Sequence, residues 1–363
     1  MPAAMPSYDF AIVGAGMAGA SLAAQLAPTG ARVLLLEAEV APGYHATGRS
    51  AAFWTESYGG PGVQPLTTAS GQPLREGGYL TSRGALTIAR TGQEAELAAF
   101  AQRYADLGVR VELLDQAAVA VRIPGLRAGW TAGALEPDCC DIDVASLHQD
   151  YLATARRAGA ELWTGAALAS AEPGWNLAMA DGRTATAAVL VNAAGAWADQ
   201  VAQLAGVPRL GIQPYRRTVA QLRTAPLPAE SLPLVLDLAE QFYFKPQSGR
   251  LWLSPHDETP SPPCDAAPEE LDVAAAVARL EEVVDWRVEH IEHRWAGLRS
   301  FAPDRLPVYG FAPQSPGFFW FAGQGGFGIQ TAPAAAALAA ALLVPGCESP
   351  VDPAPYSPSR FAR

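Results

Sequence analysis

The sequence is poor in basic charge and almost free of lysine. Its 363 residues include 36 acidic and 25 basic side chains, which gives a net charge of −11 at pH 7, and Lys245 is the sole lysine. Nucleic acids and anionic membrane surfaces are bound by clusters of basic side chains, which this composition disfavours. We therefore expect no nucleic-acid partner.

Long apolar runs and paired cysteines are also missing. The apolar stretch 332–344 is shorter than a membrane span and contains Pro333, so no transmembrane segment is predicted. Residues 1–7 lack the charged start of a signal peptide. The four cysteines form no C-x-x-C motif, and neighbours such as Cys139 and Cys140 rarely bridge each other. These absences predict reduced thiols and a cytoplasmic protein, with peripheral contact to the inner membrane left open.

The sequence does contain a complete βαβ pattern between Tyr8 and Glu37. An apolar strand, 9–13, runs directly into Gly14-Ala15-Gly16-Met17-Ala18-Gly19, and a small-residue helix and a second apolar strand follow. This is the G-x-G-x-x-G motif in the setting that dinucleotide binding requires, with a strand before it and a helix after it. The unit predicts a bound adenine dinucleotide; a glycine-rich turn without a ligand is the alternative.

Each position of this motif has a physical role. Gly14 permits the tight turn, Gly16 lets the backbone approach a pyrophosphate, and Gly19 lets the helix and strand pack closely. The N-terminus of the helix supplies unpaired N–H groups and a partial positive charge for the phosphates. Glu37, at the end of the second strand, is placed to accept hydrogen bonds from ribose hydroxyls.

Segments of two kinds alternate along the chain. Cofactor-like segments at 1–78, 139–210 and 294–363 predict a Rossmann-like domain of the α/β class. Sheet-forming, polar and aromatic segments at 79–138 and 211–293 predict an α+β domain built on an antiparallel sheet. We expect the two domains to be interleaved in sequence, with a ligand at their seam.

Local patterns give further predictions. A helix is expected to open near Ser50, 59–73 is expected to be turn-rich, and 79–90 is expected to form a strand pair around a turn at 82–84. The residues from Glu348 onward are expected to form a loose tail. Further helices are expected at 94–107, 115–123, 144–158, 269–284 and 330–343.

Four more motifs follow the βαβ unit in a fixed order. They are Gly43-Tyr44-His45-Ala46-Thr47-Gly48-Arg49-Ser50-Ala51-Ala52, Val191-Asn192-Ala193-Ala194-Gly195-Ala196-Trp197, Trp295-Ala296-Gly297-Leu298-Arg299-Ser300 and Gln324-Gly325-Gly326-Phe327-Gly328-Ile329-Gln330. Together with the βαβ unit, they resemble the D-amino-acid oxidase superfamily of FAD enzymes, and within it the bacterial FAD-dependent D-arginine dehydrogenases. The resemblance covers almost the whole chain.

The resemblance implies a non-covalently bound FAD and the oxidation of an amino acid at its Cα–N bond. The product would be an imino acid, which water converts to a 2-oxo acid and ammonia. Hydride would pass from Cα to the flavin N5, and the electrons would then go to a quinone, another carrier or oxygen. The two predicted domains thereby become an FAD-binding domain and a substrate domain.

The resemblance also assigns contacts to the cofactor. These are Gly14, Gly16, Ala18, Gly19, Glu37, Ala38, Gly48, Arg49, Ser50, Ala51, Ala167, Gly195, Gly325, Gly326, Gly328, Ile329 and Gln330. The helix that starts near Gln330 would point its N-terminus at the flavin N1 and stabilise negative charge on the reduced ring. A glycine-rich turn with only a packing role is the alternative for 325–330.

Five side chains match substrate-binding positions of the dehydrogenases. Arg217 and Arg299 would hold the substrate carboxylate, because the planar fork of arginine suits bidentate recognition. Tyr243 would bond to the same carboxylate, Tyr58 would lie on a loop that closes over the substrate, and Gln330 would take the amine. The alternative for each arginine is a solvated surface position, and for each tyrosine a place in the core.

No side chain is placed as an obvious base for the amine. His45 and His293 are expected to be structural, and the resemblance implies that solvent, or a substrate whose amine is already neutral, replaces a base. His290, Glu292 and His293 stand close together in sequence, but their spacing is not a zinc pattern, so no metal site is expected.

The sequence departs from the arginine dehydrogenases in the pocket for the substrate side chain. Ala85 stands where they place an acid, and Phe53 stands where they place a loop histidine. Leu234 and Leu236 add apolar wall, so a cationic side chain would lack a buried counter-charge. A neutral, apolar or aromatic D-amino acid is therefore predicted. Glu56 would undo this prediction if its carboxylate reached the pocket.

The choice of electron acceptor and the class of enzyme have alternatives. Trp252 is the best match for the lysine that sarcosine-type relatives place over the flavin for fast reaction with oxygen, and this favours a dehydrogenase. Three other functions stay open: a glycine or sarcosine oxidase-like activity on a secondary amine, a flavin-binding subunit without catalysis, and an NAD-dependent dehydrogenase.

Overall fold

The computed structural model describes residues 5–362. The helices are α1 (Met17–Leu26), α2 (Gln64–Glu76), α3 (Glu94–Asp106), α4 (Gln116–Arg122), α5 (Val144–Arg157), α6 (Ala198–Leu204), α7 (Glu270–Val283) and α8 (Ala332–Leu343). The strands are β1 (Ser7–Val13), β2 (Val33–Leu36), β3 (Phe53–Trp54), β4 (Leu80–Ser82), β5 (Ala85–Arg90), β6 (Glu112–Asp115), β7 (Trp130–Glu136), β8 (Cys140–Ile142), β9 (Glu161–Trp163), β10 (Leu168–Glu172), β11 (Asn176–Met179), β12 (Thr184–Asn192), β13 (Gln213–Ala225), β14 (Leu234–Asp237), β15 (Tyr243–Gln247), β16 (Arg250–Ser254), β17 (Thr259–Pro260), β18 (Arg287–Phe301), β19 (Val308–Phe311), β20 (Phe318–Ala322) and β21 (Gln324–Gly325).

The first sheet is built around β1, which pairs in parallel with β2 on one side and with β12 on the other. β9 extends the sheet beyond β2, and β20 joins β12 in parallel. Helix α1 packs against α5 and α8, and the side chains of Ile12, Leu22 and Leu338 share one buried cluster. Strands covered in this way are apolar along their whole length, as β2 is. The predicted Rossmann-like α/β fold is confirmed.

The glycine motif connects β1 to α1 as the spacing predicted. Gly14 has φ +103°, a conformation that favours glycine, and α1 begins directly after Gly16. A Cβ atom on Gly19 would lie 1.9 Å from the carbonyl oxygen of Gly14. The close packing of the helix on the turn therefore requires glycine at this position.

The second sheet has ten strands, with the long pair β13 and β18 near one edge. Most of its pairs are antiparallel, but β14 and β5 run parallel. Helices α4 and α7 contribute Val119 and Leu280 to the cluster that covers one face, together with Trp286. The opposite face presents Arg217 and Tyr243 to a cavity that is also lined by residues of the first sheet.

Residues 59–73 were expected to be turn-rich, and this prediction is wrong, because α2 begins at Gln64 and continues through Pro73 to Glu76. Pro65 lies in the first turn, where a helix needs no N–H group from that residue. Gly71 faces the ring of Trp54, where a Cβ atom would lie 2.7 Å from a ring carbon. Small residues that look like turn formers in sequence are therefore packing positions of a buried helix.

Two neighbouring predictions also need correction. No helix opens at Ser50; the chain enters the short strand β3 instead. Strands form on both sides of 82–84, but they are not a pair, since β4 joins β8 in a third, three-stranded sheet while β5 joins β7 and β14. The backbone N–H groups of Arg83 and Gly84 both donate to the carbonyl of Cys139, and this redirects the chain between the two sheets.

The predicted loose tail is ordered and packed. Short 3-10 helices occupy Ala354–Tyr356 and Pro358–Phe361. Tyr356 is 2% exposed, and its hydroxyl donates to the carbonyl oxygen of Gly62 at 2.9 Å. Arg360 donates from Nε to Asp304 at 2.6 Å. An aromatic anchor and an ion pair therefore hold a segment that was expected to be a loose tail.

The predicted domain bounds stay a prediction, and one of them, between 293 and 294, falls inside β18. All four cysteines are unbridged. Within residues 5–362, no helix is both long enough and apolar enough to cross a membrane. The cytoplasmic location remains a prediction from the sequence.

The contact between Gly19 and Gly14 gives a test of the fold. We expect Gly19→Ala to lower the stability by about 3 kcal/mol or more, because the added methyl group meets backbone rather than a flexible side chain. Gln25→Ala, on the exposed side of the same helix, is the matched control and should leave the melting temperature near that of the wild type. Equal melting temperatures for Gly19→Ala and the wild type would contradict the packing role.

Candidate active site

A cavity of about 410 Å³ lies between the first sheet and the second sheet. The first sheet contributes the turn after β1, the residues after β2 and the residues after β12, which are the carboxyl ends of its parallel strands. Ligands of open α/β sheets bind at this edge. The second sheet closes the cavity with residues from β13, β15 and β18.

The cavity wall includes most of the predicted cofactor contacts. Those that line it are Gly14, Gly16, Ala18, Glu37, Ala38, Arg49, Ser50, Ala51, Ala167, Gly195, Gly325, Gly326, Gly328 and Ile329. Gly19 lies behind the turn, and Gly48 donates its N–H to the carbonyl of Gly43. Gln330 lines a smaller adjoining cavity of about 20 Å³.

The glycine turn is held in shape by Glu37. One carboxylate oxygen accepts from the N–H of Ala15 at 3.0 Å, and the other accepts from the N–H of Glu39 at 3.0 Å. Each oxygen keeps a second lone pair for a hydroxyl donor in the cavity. The predicted contact of Glu37 with a ribose therefore coexists with a structural role that the sequence did not indicate.

His148 lies behind the same turn and supports it, and the sequence analysis did not identify this residue. Its Nε2 lies 2.8 Å from the carbonyl oxygen of Ala15, and burial lowers the pKa of the imidazole, so the ring is neutral at pH 7. No pattern in the sequence indicates this residue, because only the packing of helix α5 places it behind the turn. His45, expected to be structural, pairs with Glu39 at 2.9 Å and packs on Trp197 at the cavity wall.

Arg49 lines the cavity, but its guanidinium bonds to protein groups. It donates to the carbonyl oxygens of Ala266 at 2.9 Å and Ala296 at 3.2 Å, and it pairs with the carboxylate of Asp265. The hydroxyl of Tyr44 also donates to Asp265. Arg49 thus fastens the proline-rich loop between β17 and α7 across the cavity.

At the other end of the cavity, two arginines approach each other. Arg217 is 4% exposed; its Nε donates to the carbonyl of Asp257 at 2.7 Å, while its Nη1 is buried without a partner in the described structure. Arg299 donates from Nη1 to the hydroxyl of Tyr58. Burial, and then the charge of Arg299, lowers the pKa of Arg217. The carboxylate of Glu258 lies 3.3 Å from Nη2 of Arg217 and offsets part of this charge. The remaining unused donor, Nη1 of Arg217, beside the second guanidinium suits a further anion.

An aromatic wall stands beside these arginines. The ring of Phe53 lies 5.2 Å from that of Tyr58 and 5.9 Å from that of Tyr243, measured between centroids. Tyr243 is 1% exposed, and it shares a buried cluster with Ala85 and Leu234. The structure therefore brings together Arg217, Arg299, Tyr58 and Tyr243, as the resemblance implied. Their contacts with a substrate remain a prediction.

His256 joins this group and was not found from the sequence. Its ring lies 5.8 Å from Tyr243 and 6.3 Å from Tyr58, and its Nδ1 is 2.6 Å from the carbonyl of Glu240. Its Nε2 is buried without a partner among the described residues. Burial, with the charges of Arg217 and Arg299, lowers the pKa of His256 to about 2, so the ring is neutral. A polar turn directly after β16 is the signal that would have pointed to it.

Gln330 has a different environment from the one predicted. Its Nε2 donates to the carbonyl of Tyr58 at 3.1 Å and to the hydroxyl of Thr67 at 2.9 Å, and its Oε1 faces the N–H of Thr55 at 3.5 Å. The amide therefore ties the Tyr58 loop to the start of α8, which begins at Ala332. The contact of Gln330 with a substrate amine stays a prediction, and these bonds weaken it.

The residues that differ from those of the arginine dehydrogenases lie in different surroundings. Ala85 is buried beside Leu234, in the wall predicted to be apolar. The carboxylate of Glu56 accepts from the hydroxyl of Thr68 on α2, and so it is held away from the arginines. However, the strand partner of Ala85 on its other side is Glu136, a buried acid that the sequence analysis missed.

Trp252, the predicted counterpart of the oxygen-activating lysine, lies opposite Lys245 in the sheet. The ammonium of Lys245 lies 2.6 Å from a carboxylate oxygen of Asp141, and Arg83 pairs with the same carboxylate. Trp252 packs edge-on against Trp295, with ring centroids 5.0 Å apart. His293, expected to be structural, stacks on the other side of Trp295 at 5.4 Å.

The profile of the DAO family, described as FAD-dependent oxidoreductases, matches residues 9–342. The chain therefore belongs to this family, and FAD is its cofactor. The glycine oxidase of Pseudomonas aeruginosa is 27% identical, and the match covers 96% of this chain and 98% of that protein. The glycine oxidase of Geobacillus kaustophilus is 28% identical, with 97% of each chain covered.

Solved structures give the same picture of the fold. The crystal structure of the Geobacillus kaustophilus glycine oxidase superposes with a TM-score of 0.85 at 26% identity and covers 98% of this chain and 99% of that one. An L-proline dehydrogenase from P. horikoshii superposes with a TM-score of 0.87 at 20% identity, covering 99% and 98%, and supports the fold alone. The superfamily expectation is confirmed, whereas the likeness to D-arginine dehydrogenases stays a prediction.

The residues of the cavity fit FAD. Gly14 and Gly16 line the cavity beside the N-terminus of α1, the end of a helix at which phosphates bind. The hydroxyl of Ser300 is buried in the cavity wall and has no partner among the described residues, so it is free to bond to a polar ring atom. The match to a family of FAD-dependent oxidoreductases excludes the alternative that the protein is an NAD-dependent dehydrogenase.

The paired arginines give a test by binding alone. We expect Arg217→Lys to weaken the binding of benzoate, followed by its effect on the flavin absorbance, by about tenfold or more, because lysine keeps the charge but loses the planar fork. Arg216→Lys is the matched control: Arg216 is its neighbour on β13 but pairs with Glu269 and Asp272 on the other face. Unchanged benzoate affinity in Arg217→Lys would show that this guanidinium does not bind the carboxylate.

Proposed function

We propose that the protein oxidises the Cα–N bond of a neutral amino acid to an imino acid, which water hydrolyses to a 2-oxo acid and ammonia. The observation that carries the proposal is the pair Arg217 and Arg299, which presents an unused buried donor beside the cofactor cavity. FAD accepts the hydride from Cα in this chemistry. The protein has to bind the zwitterion, orient its Cα–H and exclude water.

The side chains divide these tasks. Arg217 and Arg299 hold the substrate carboxylate, and the hydroxyls of Tyr58 and Tyr243 add hydrogen bonds to it. Phe53 and the aromatic rings around it exclude water from one side of the bound molecule. The imidazole of His256 is neutral, so it adds no positive charge against the substrate ammonium.

A neutral side chain is favoured because the wall around it is apolar. Ala85 and Leu234 are 2% and 0% exposed, and both belong to the cluster of Tyr243 and Phe53. The acid nearest to them, Glu136, already accepts two backbone N–H groups, and burial raises its pKa. A guanidinium or ammonium would therefore be poorly compensated in this wall. The D configuration rests on the resemblance to the D-arginine dehydrogenases.

Oxidation of glycine or of a secondary amine is the second candidate. It is supported by the two glycine oxidases that this chain matches over almost its whole length. Glycine needs no side-chain pocket at all, so both candidates use the same carboxylate site.

Anaerobic mixing of the holoenzyme with single amino acids tests the proposal. The flavin absorbance should bleach with D-Ala, D-Leu or D-Phe at least about tenfold faster than with D-Arg. The reason is that the apolar wall offers no counter-charge to the guanidinium of D-Arg. The L enantiomers, glycine and sarcosine complete the panel. Fastest bleaching by glycine or sarcosine would select the second candidate. A clear preference for D-Arg would contradict the proposal that the substrate side chain is neutral. If no compound in the panel bleached the flavin, amino-acid oxidation itself would be contradicted.

We further propose that electrons pass to a quinone or another carrier rather than to oxygen. The lysine of this region, Lys245, is 2% exposed and paired with Asp141, so it is not free to assist oxygen. Oxygen uptake should therefore be slow compared with turnover on an artificial acceptor with the same substrate. Uptake at a rate equal to that turnover would show that the protein is an oxidase.

A further inference from the structure

Glu136 is a buried acid in a place where an apolar residue would be easier to bury. It ends strand β7, it is 3% exposed, and it faces the same side of the sheet as its strand partner Ala85. Burial raises the pKa of its carboxyl group, because the charged form loses its hydration. A group with this penalty needs compensating contacts, and the contacts that it makes are specific.

Both oxygens of Glu136 contact one short segment, 55–58, which is the first part of the loop between β3 and α2. Oε1 accepts from the N–H of Glu56 at 2.5 Å, and Oε2 accepts from the N–H of Ser57 at 3.3 Å. The donors are successive backbone groups of a turn, so one carboxylate fixes the turn in two places. A side chain of the second sheet thus holds a loop that follows β3 of the third, three-stranded sheet.

The far end of this loop carries Tyr58. Its carbonyl accepts from Nε2 of Gln330 at 3.1 Å, and its hydroxyl accepts from Nη1 of Arg299. The loop is therefore held by Glu136 from one side and by Gln330 from the other. The position of the tyrosine hydroxyl against Arg299 depends on these two attachments, because Tyr58 directly follows the two residues, Glu56 and Ser57, whose N–H groups Glu136 accepts.

We propose that Glu136 is a positioning residue that fixes the Tyr58 loop against Arg299 and so pre-forms the carboxylate site. This inference rests on the proposed function, since it assumes that Arg299 and Tyr58 receive a carboxylate. A loop held in its bound position does not have to be ordered by the ligand, and this raises affinity. Loosening it should weaken binding more than it slows the chemical step.

Glu136→Gln in the full-length holoenzyme tests this role. Glutamine keeps the shape but offers one acceptor oxygen for two N–H donors. We expect the Kd for benzoate, measured from the flavin absorbance, and the KM for the best amino acid to rise about tenfold, while kcat changes by less than about threefold. Glu112→Gln, on the neighbouring strand β6 and paired with Arg110 outside the site, is the control and should leave both constants unchanged.

A double-mutant cycle separates positioning from a general structural effect. If Glu136 acts through Tyr58, Glu136→Gln should change the Kd for benzoate by less than about twofold once Tyr58→Phe has removed the hydroxyl. A loss of the same size in both backgrounds would overturn the proposal, and so would benzoate affinity in Glu136→Gln equal to that of the wild type.

Glu136→Met provides a second variant, since it removes both acceptors without leaving a buried charge. It is judged by the same criteria if Glu136→Gln does not fold or does not retain FAD. Wild-type protein that binds no benzoate would overturn the proposed function and this inference together. Wild-type binding with unaffected Glu136 variants would overturn this inference alone.

Discussion

Two guanidinium groups, those of Arg217 and Arg299, approach each other at one end of the cavity. Neighbouring cations repel, and burial weakens their hydration, so such a pair needs acceptors and negative charge around it. The carbonyl of Asp257, the carboxylate of Glu258 and the hydroxyl of Tyr58 supply part of this compensation. Nη1 of Arg217 has no partner among the described residues, and under the proposed function the substrate carboxylate occupies this position.

Much of the surrounding structure serves to hold this arrangement. The paired strands β13 and β18 place the two arginines nearby in one sheet, with Arg217 opposite Gly297 and Tyr215 opposite Arg299. The Tyr58 loop is attached to Gln330 on the side of α8 and to Glu136 on the side of β7. The site therefore lies where polar contacts link the second sheet and the start of α8 to the loop after β3, which explains why several buried polar residues are found there.

The cofactor end of the cavity follows a simpler rule. A glycine turn, an acid after the second strand and a helix N-terminus are local features, separated by few residues, and their spacing is visible in the sequence. By contrast, Arg49 was predicted to contact the cofactor from its motif, yet its guanidinium holds the loop at Asp265 and Ala266. Long side chains reach partners that sequence neighbours do not reveal.

The sequence by itself determined the βαβ unit, the FAD family and the residue types at the proposed carboxylate site, because these depend on short spacings and on chemistry carried by single side chains. Only the tertiary structure decided that α2 is a helix, that the tail is packed, that Glu136 holds the Tyr58 loop, and that His256 packs beside Tyr58. These outcomes depend on strand register and on which buried groups meet across hundreds of residues. A carboxylate or an imidazole in a sequence carries no record of the backbone groups that will compensate its burial.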